Sequence, residues 1–126
     1  MGLIDSMLTL SNPLRLDIEP IQVKAQADTG SVYLIIPEHI SLKLSLESQA
    51  RKEVTLADGL KRMVPYVGPV EIRFKNRLAY VGGIVMGEEV LLGAIPMEDM
   101  DLVLRPNSRQ IDINPENPNF AAAKAM

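Results

Sequence analysis

The chain has 126 residues, of which 47% are apolar and 23% charged, with a formal net charge of −3 and no cysteine. That length makes one domain with a single core, burying roughly two-thirds of the surface its unfolded chain exposes. The charge balance offers no basic face for nucleic acid or an anionic membrane, the missing cysteines exclude disulfides, a thiol nucleophile and Cys-ligated metal, and one histidine, His39, excludes a multi-His metal site within one chain.

The opening stretch, MGLIDSMLTLSNP, has no basic start, carries Asp5 and meets Pro13. It reads as neither signal peptide nor membrane span, so a cytoplasmic protein is expected. Leu14, Leu16 and Ile18 then alternate with charged residues, and Ile21, Val23, Ala25 and Ala27 alternate with Gln22, Lys24 and Gln26. Such a period of two predicts strands with one buried and one wet face. Pro20, which cannot donate to a ladder, is expected at a bend or edge between them. After the triplet Asp28-Thr29-Gly30, Val32, Leu34 and Ile36 continue the alternation. Pro37 supplies a backbone angle suited to the start of a short helix, PEHISLKL, with Ile40 and Leu44 on one face.

The middle of the chain predicts two hairpins. Val54 and Leu56 run into Ala57-Asp58-Gly59, a strong turn signal, and Leu60, Met63 and Val64 begin the return. VGPVEIRFKNRLAYVGGIVM adds two strands around Lys75-Asn76, and Gly82-Gly83 inside that run predicts a bulge or a close backbone approach. EEVLLGAIPMEDMDLVLRP gives a short apolar strand ending at Gly93 and a helical IPMEDMDL. Strands over LVLRP and RQIDIN follow, before an Asn- and Pro-rich tail. The expectation is a mostly β barrel or sandwich with one or two short helices. It forms a single domain over residues 1–118, with 119–126 a disordered tail.

Taken alone, Asp28-Thr29-Gly30 reads as a structural turn, because Asp and Gly are common turn residues. The order ADTGS (27–31), an ADG hairpin some thirty residues on (57–59), and VLLGAIPMEDMDLVLRP (90–106) changes that reading. In sequence and spacing the chain resembles the retropepsin-like aspartic proteases, and most of all their small prokaryotic single-domain members, over residues 14–118. The most specific part of the resemblance pairs the triplet with Leu91-Leu92-Gly93.

The resemblance implies a closed retropepsin-like acid-protease barrel and an aspartic endopeptidase that needs no cofactor and no metal. It implies Asp28 as the catalytic carboxylate, Thr29 and Gly30 as supports of its loop, and Leu91, Leu92 and Gly93 packed beside it. The hairpin tip Ala57-Asp58-Gly59 becomes a flap over bound peptide. One chain carries one such triplet, so the second carboxylate is implied to come from another copy in a twofold homodimer. The partners expected are that second copy and a peptide or protein substrate, without nucleic acid or membrane. Ser31, where many relatives have Ala, either donates to the outer oxygen of Asp28 and favours its charged form or simply caps the turn. Two features depart from the family: Ala27 is smaller than the bulky residue often found there, and the hairpin tip has only Gly59.

Other chemistry-bearing residues read more plainly. His39 is expected on the surface, Glu88-Glu89 and Glu98-Asp99 as solvated charge, and Met86, Met97 and Met100 as fillers of core or interface gaps. A second reading of a different class also fits the residues, in which a catalytically inactive dimeric β barrel serves as a peptide-binding or scaffolding module.

Overall fold

The computed structural model describes residues 6–28, 30–105 and 110–125. Strand β1, Ser6–Ser11, pairs antiparallel with β2, Ile21–Ala27. Its alternation is visible in SMLTLS, where Leu8 and Leu10 point into the core while Met7 faces out. Sequence reasoning placed the first strand later, over Leu14–Ile18, and that expectation is corrected. Residues 13–18 form successive turns, with the amides of Arg15 and Ile18 donating to the carbonyls of Asn12 and Arg15. Asn12 Oδ1 accepts the Leu14 amide, Arg15 pairs with Asp17, and Leu14 and Leu16 stand 70% and 91% exposed. With Pro13 and Pro20 flanking it, the segment has too few free amides to join a ladder.

Strand β3, Leu34–Ile36, leads through Pro37 into helix α1, Glu38–Lys43, which buries Ile40 with Leu44 just beyond it, while His39 is exposed. Strands β4, Ser48–Thr55, and β5, Lys61–Phe74, make the first hairpin, and β5 turns at Lys75-Asn76 into β6, Arg77–Val85. The expected irregularity near Gly82-Gly83 is there. Val67 pairs with Gly83 and Val70 with Val81, so Gly68 and Pro69 together face Gly82. Strand β7, Val90–Leu92, ends at Gly93, which starts helix α2, Ala94–Asp99, and β8, Leu102–Arg105, pairs with β9, Gln110–Ile113. Pro106 and Arg109, read as the ends of these two strands, lie outside the described residues.

Hydrogen bonding runs in the order β1-β2-β7-β3-β6-β5 and returns from β5 to β1, closing a six-stranded barrel, while β4 adds outside it along β5. Two of these pairings, β2 with β7 and β3 with β6, are parallel. Both join segments more than forty residues apart. The core is filled from β1, β3, β5 and β7 by Leu8, Leu10, Leu34, Ile36, Ile72 and Leu92, each at most 1% exposed. Closure leaves few open edges and makes the barrel a stable frame for loops at its rim.

After β9 the chain turns back across the barrel. The Asp101 carboxylate accepts hydrogen bonds from the side chains of Asn114 and Asn117 and from the Ala122 amide, and the buried Arg77 donates to the Asn117 carbonyl at 2.6 Å.

Candidate active site

Three neighbouring segments meet at one end of the barrel: the loop after β2, the end of β7 and the tip region of the β4–β5 hairpin. The loop begins where Ala27 pairs with Leu92, after which the Asp28 amide donates to the Leu92 carbonyl at 2.8 Å. A tight turn follows, closed by the Ser31 amide donating to the Asp28 carbonyl at 3.0 Å. Inside it the carboxylate is held at both ends. The Gly30 amide donates to Oδ1 and the Ser31 hydroxyl to Oδ2, each at 3.0 Å. Two donors, one on each oxygen, fix the plane of the carboxylate.

Ser31 and the two residues after it are tied in turn to the start of α2. Ala94, Ile95 and Gly93 donate their amides to the carbonyls of Ser31, Val32 and Tyr33 at 2.9, 2.9 and 3.1 Å. This brings two backbones close together. A Cβ on Gly93 would stand 2.4 Å from the Tyr33 carbonyl oxygen and 2.7 Å from that of Ser31, so no residue with a side chain fits there unshifted. The apolar-apolar-Gly pattern therefore has a physical content: Leu91 faces the cleft, Leu92 is fully buried in the core, and Gly93 admits the loop.

Asp28 opens onto a cleft of about 540 Å³. Its floor and walls are Asp28, Ser31, Ile35, Ile84, Met86 and Leu91, and the hairpin contributes Val54, Leu56 and Ala57. The lining is mostly apolar, with Asp28 as the one carboxylate among the described residues that form it. A mostly apolar concavity with one oriented acid has the form of a ligand-binding cleft.

The residues singled out from sequence are thus largely gathered. Asp28, Gly30, Ser31, Ala57 and Leu91 border the cleft, with Leu92 and Gly93 directly behind it. Thr29 lies outside the described residues. Asp58 and Gly59 remain exposed at the hairpin tip, where Asp58 Oδ1 accepts the Leu60 amide and Gly59 has a φ of +87°. Glu88-Glu89 and Glu98-Asp99 are exposed as expected, but Glu88 and Glu89 sit on a bend rather than a strand. Met100 is fully buried in the core, whereas Met86 lines the cleft. Val54, Leu56, Tyr33 and Ile84 were not named as site residues from sequence. The alternation of Val54 and Leu56 with Glu53 and Thr55 marked an apolar face, but not what that face covers. Among the described residues no group of three or more His, Cys, Asp or Glu could hold a metal ion, and no helix is long and apolar enough to cross a membrane.

No protein-family model matches the chain, and no curated protein matches it. Among solved structures it is similar to the retroviral protease-like domain of Ddi1 from Leishmania major, with a TM-score of 0.56 and 11% identity over 90% of this chain and 91% of that one. The mostly β, closed retropepsin-like barrel expected from the sequence is therefore the fold of the protein.

Proposed function

We propose that this retropepsin-like barrel is an aspartic endopeptidase whose active site forms between the Asp28 residues of two copies. The observation that carries the proposal is the Asp28 carboxylate, held by the Gly30 amide and the Ser31 hydroxyl at the floor of a cleft roofed by a hairpin. A single carboxylate cannot supply both acid and base. Two held about 3 Å apart share one proton, because both cannot ionise. The ionised member removes a proton from a water molecule, whose oxygen attacks the scissile carbonyl carbon. The protonated member hydrogen-bonds the carbonyl oxygen as it gains charge. Collapse of the resulting diol, with proton transfer to the amide nitrogen, breaks the C–N bond and releases an amine and a carboxylic acid without a covalent enzyme intermediate.

Support for the second copy comes from the surface beside the loop. Val32 and Ile95, joined by a backbone hydrogen bond, are exposed apolar residues at the rim next to Asp28. Burying them against their twofold mates would bring the two loops together. The hairpin's roofing residues would then close over an extended peptide added alongside them as a strand.

The test joins a mass determination in solution to cleavage of a peptide library. A dimer that cleaves peptides, is inhibited by a statine-type transition-state mimic and loses activity in Asp28→Asn with its mass and circular dichroism unchanged is the expected result. A dimer that turns over no peptide between roughly pH 3 and 8 leaves the non-hydrolytic binding module instead.

A further inference from the structure

The hairpin that roofs the cleft is anchored at its root by a cluster that the peptidase chemistry does not use. Along β4 the inward face runs Lys52, Val54, Leu56, and the last two reach the cleft. Lys52 does not point to solvent. Its Nζ lies 4.7 Å from the centre of the Tyr66 ring and 5.0 Å from that of Tyr33, and it donates to Tyr33 Oη at 3.2 Å. The two rings meet edge to face with centroids 5.7 Å apart. Among the described residues no carboxylate stands within ion-pair distance of Lys52, so the two aromatic faces and one hydroxyl are its partners.

The position of Tyr66 depends on a missing side chain. A Cβ on Gly82 would lie 2.1 Å from the far end of the Tyr66 ring, so the ring occupies the space above the glycine in β6. Tyr33 belongs to the cleft wall and follows directly on the Asp28 loop, with its carbonyl held by Gly93. Lys52 thus bridges the β4 strand of the hairpin and the wall that follows the Asp28 loop.

We propose that Lys52, Tyr33 and Tyr66 are positioning residues that form a clasp holding the β4–β5 hairpin closed over the cleft, with Gly82 as the notch that seats it. When the clasp opens, the ammonium leaves both rings and the root of β4 separates from the Tyr33 wall. Val54, Leu56 and Ala57 are then lifted from the cleft and a peptide can enter. The consequence for peptide turnover rests on the peptidase reading. The clasp itself does not.

NMR relaxation dispersion of the amides of residues 54–60, in the full chain, reads the open population directly. Lys52→Met keeps the aliphatic stem and removes the charge, and Gly82→Ala displaces the Tyr66 ring without touching the cleft. Both are expected to raise the open population by about three- to tenfold, the range of one cation–π contact, while Lys52→Arg stays close to wild type. In the peptidase assay both variants should raise KM by a similar factor with kcat little changed. An unchanged open population in both variants overturns the clasp, as does an increase spread evenly through β5 and β6, which would mark a general loss of stability. Absence of turnover in the wild-type protein would count against the peptidase and leave the relaxation result standing.

Discussion

Gly93 and Tyr33 are in backbone contact: the Gly93 amide donates to the Tyr33 carbonyl at 3.1 Å, and a Cβ on Gly93 would fall 2.4 Å from that same oxygen. This contact joins the strand that flanks the Asp28 loop to the segment that leaves it. Both sides are backbone, so neither can yield by a rotamer change.

Gly93→Ala is therefore expected to destabilise the fold by about 1–3 kcal/mol, as overpacking does, and to move the loop that orients Asp28. Urea unfolding measures the first effect and peptide turnover the second. A variant as stable and as active as wild type would mean that the two backbones do not approach so closely in solution.

Ser31→Ala removes the hydroxyl that reaches Asp28 Oδ2 at 3.0 Å and leaves the Gly30 amide on Oδ1. The hydroxyl is one of two donors that fix the plane of the carboxylate, so losing it frees one oxygen to turn. Peptide turnover by the variant should fall by about tenfold, with its circular dichroism unchanged. Turnover equal to that of the wild type would remove any role for this hydroxyl in the chemistry.

Asp112 on β9 is linked to two cations. Hydrogen bonding from Lys75, then from the Ile113 amide and from Arg105, lowers its pKa from 3.8 to about 2. A carboxylate with a depressed native pKa contributes stability that is present above about pH 4 and is lost as pH falls through about 2. Lys75 and Arg105 are more than half exposed, and solvent screening holds the contribution to about 1 kcal/mol. Asp112→Asn should be less stable than wild type by that amount at pH 7, with the gap narrowing from pH 4 towards pH 2 in urea titrations. A gap independent of pH would show that the ion pairs do not contribute. The backbone amide of Ala122, followed by the side chains of Asn114 and Asn117, likewise lowers the Asp101 pKa.

Much of this was legible along the chain. Period-two runs marked β2, β4, β5 and β6; Asp58-Gly59 and Lys75-Asn76 marked two turns; and Pro37 with Ile40 and Leu44 marked α1. The same period misled at Leu14, Leu16 and Ile18, where two prolines and the Asn12 turn left too few free amides for a partner strand. At Leu8 and Leu10 the same period is masked by the apolar residues around it, which also resemble a leader.

The sequence by itself determined which faces are apolar, where the turns fall, and that one Asp-Thr-Gly triplet is followed at a distance by an apolar pair and a glycine. These are properties of near neighbours, set by local backbone sterics and by alternation. Tertiary structure alone decided that Ala27 pairs with Leu92, that β5 closes onto β1, that Val54 and Leu56 roof the cleft, and that Lys52 rests between two tyrosines. Strand pairing draws on side chains far apart in the chain, and a residue's own neighbours carry no record of what the closed barrel will set opposite it.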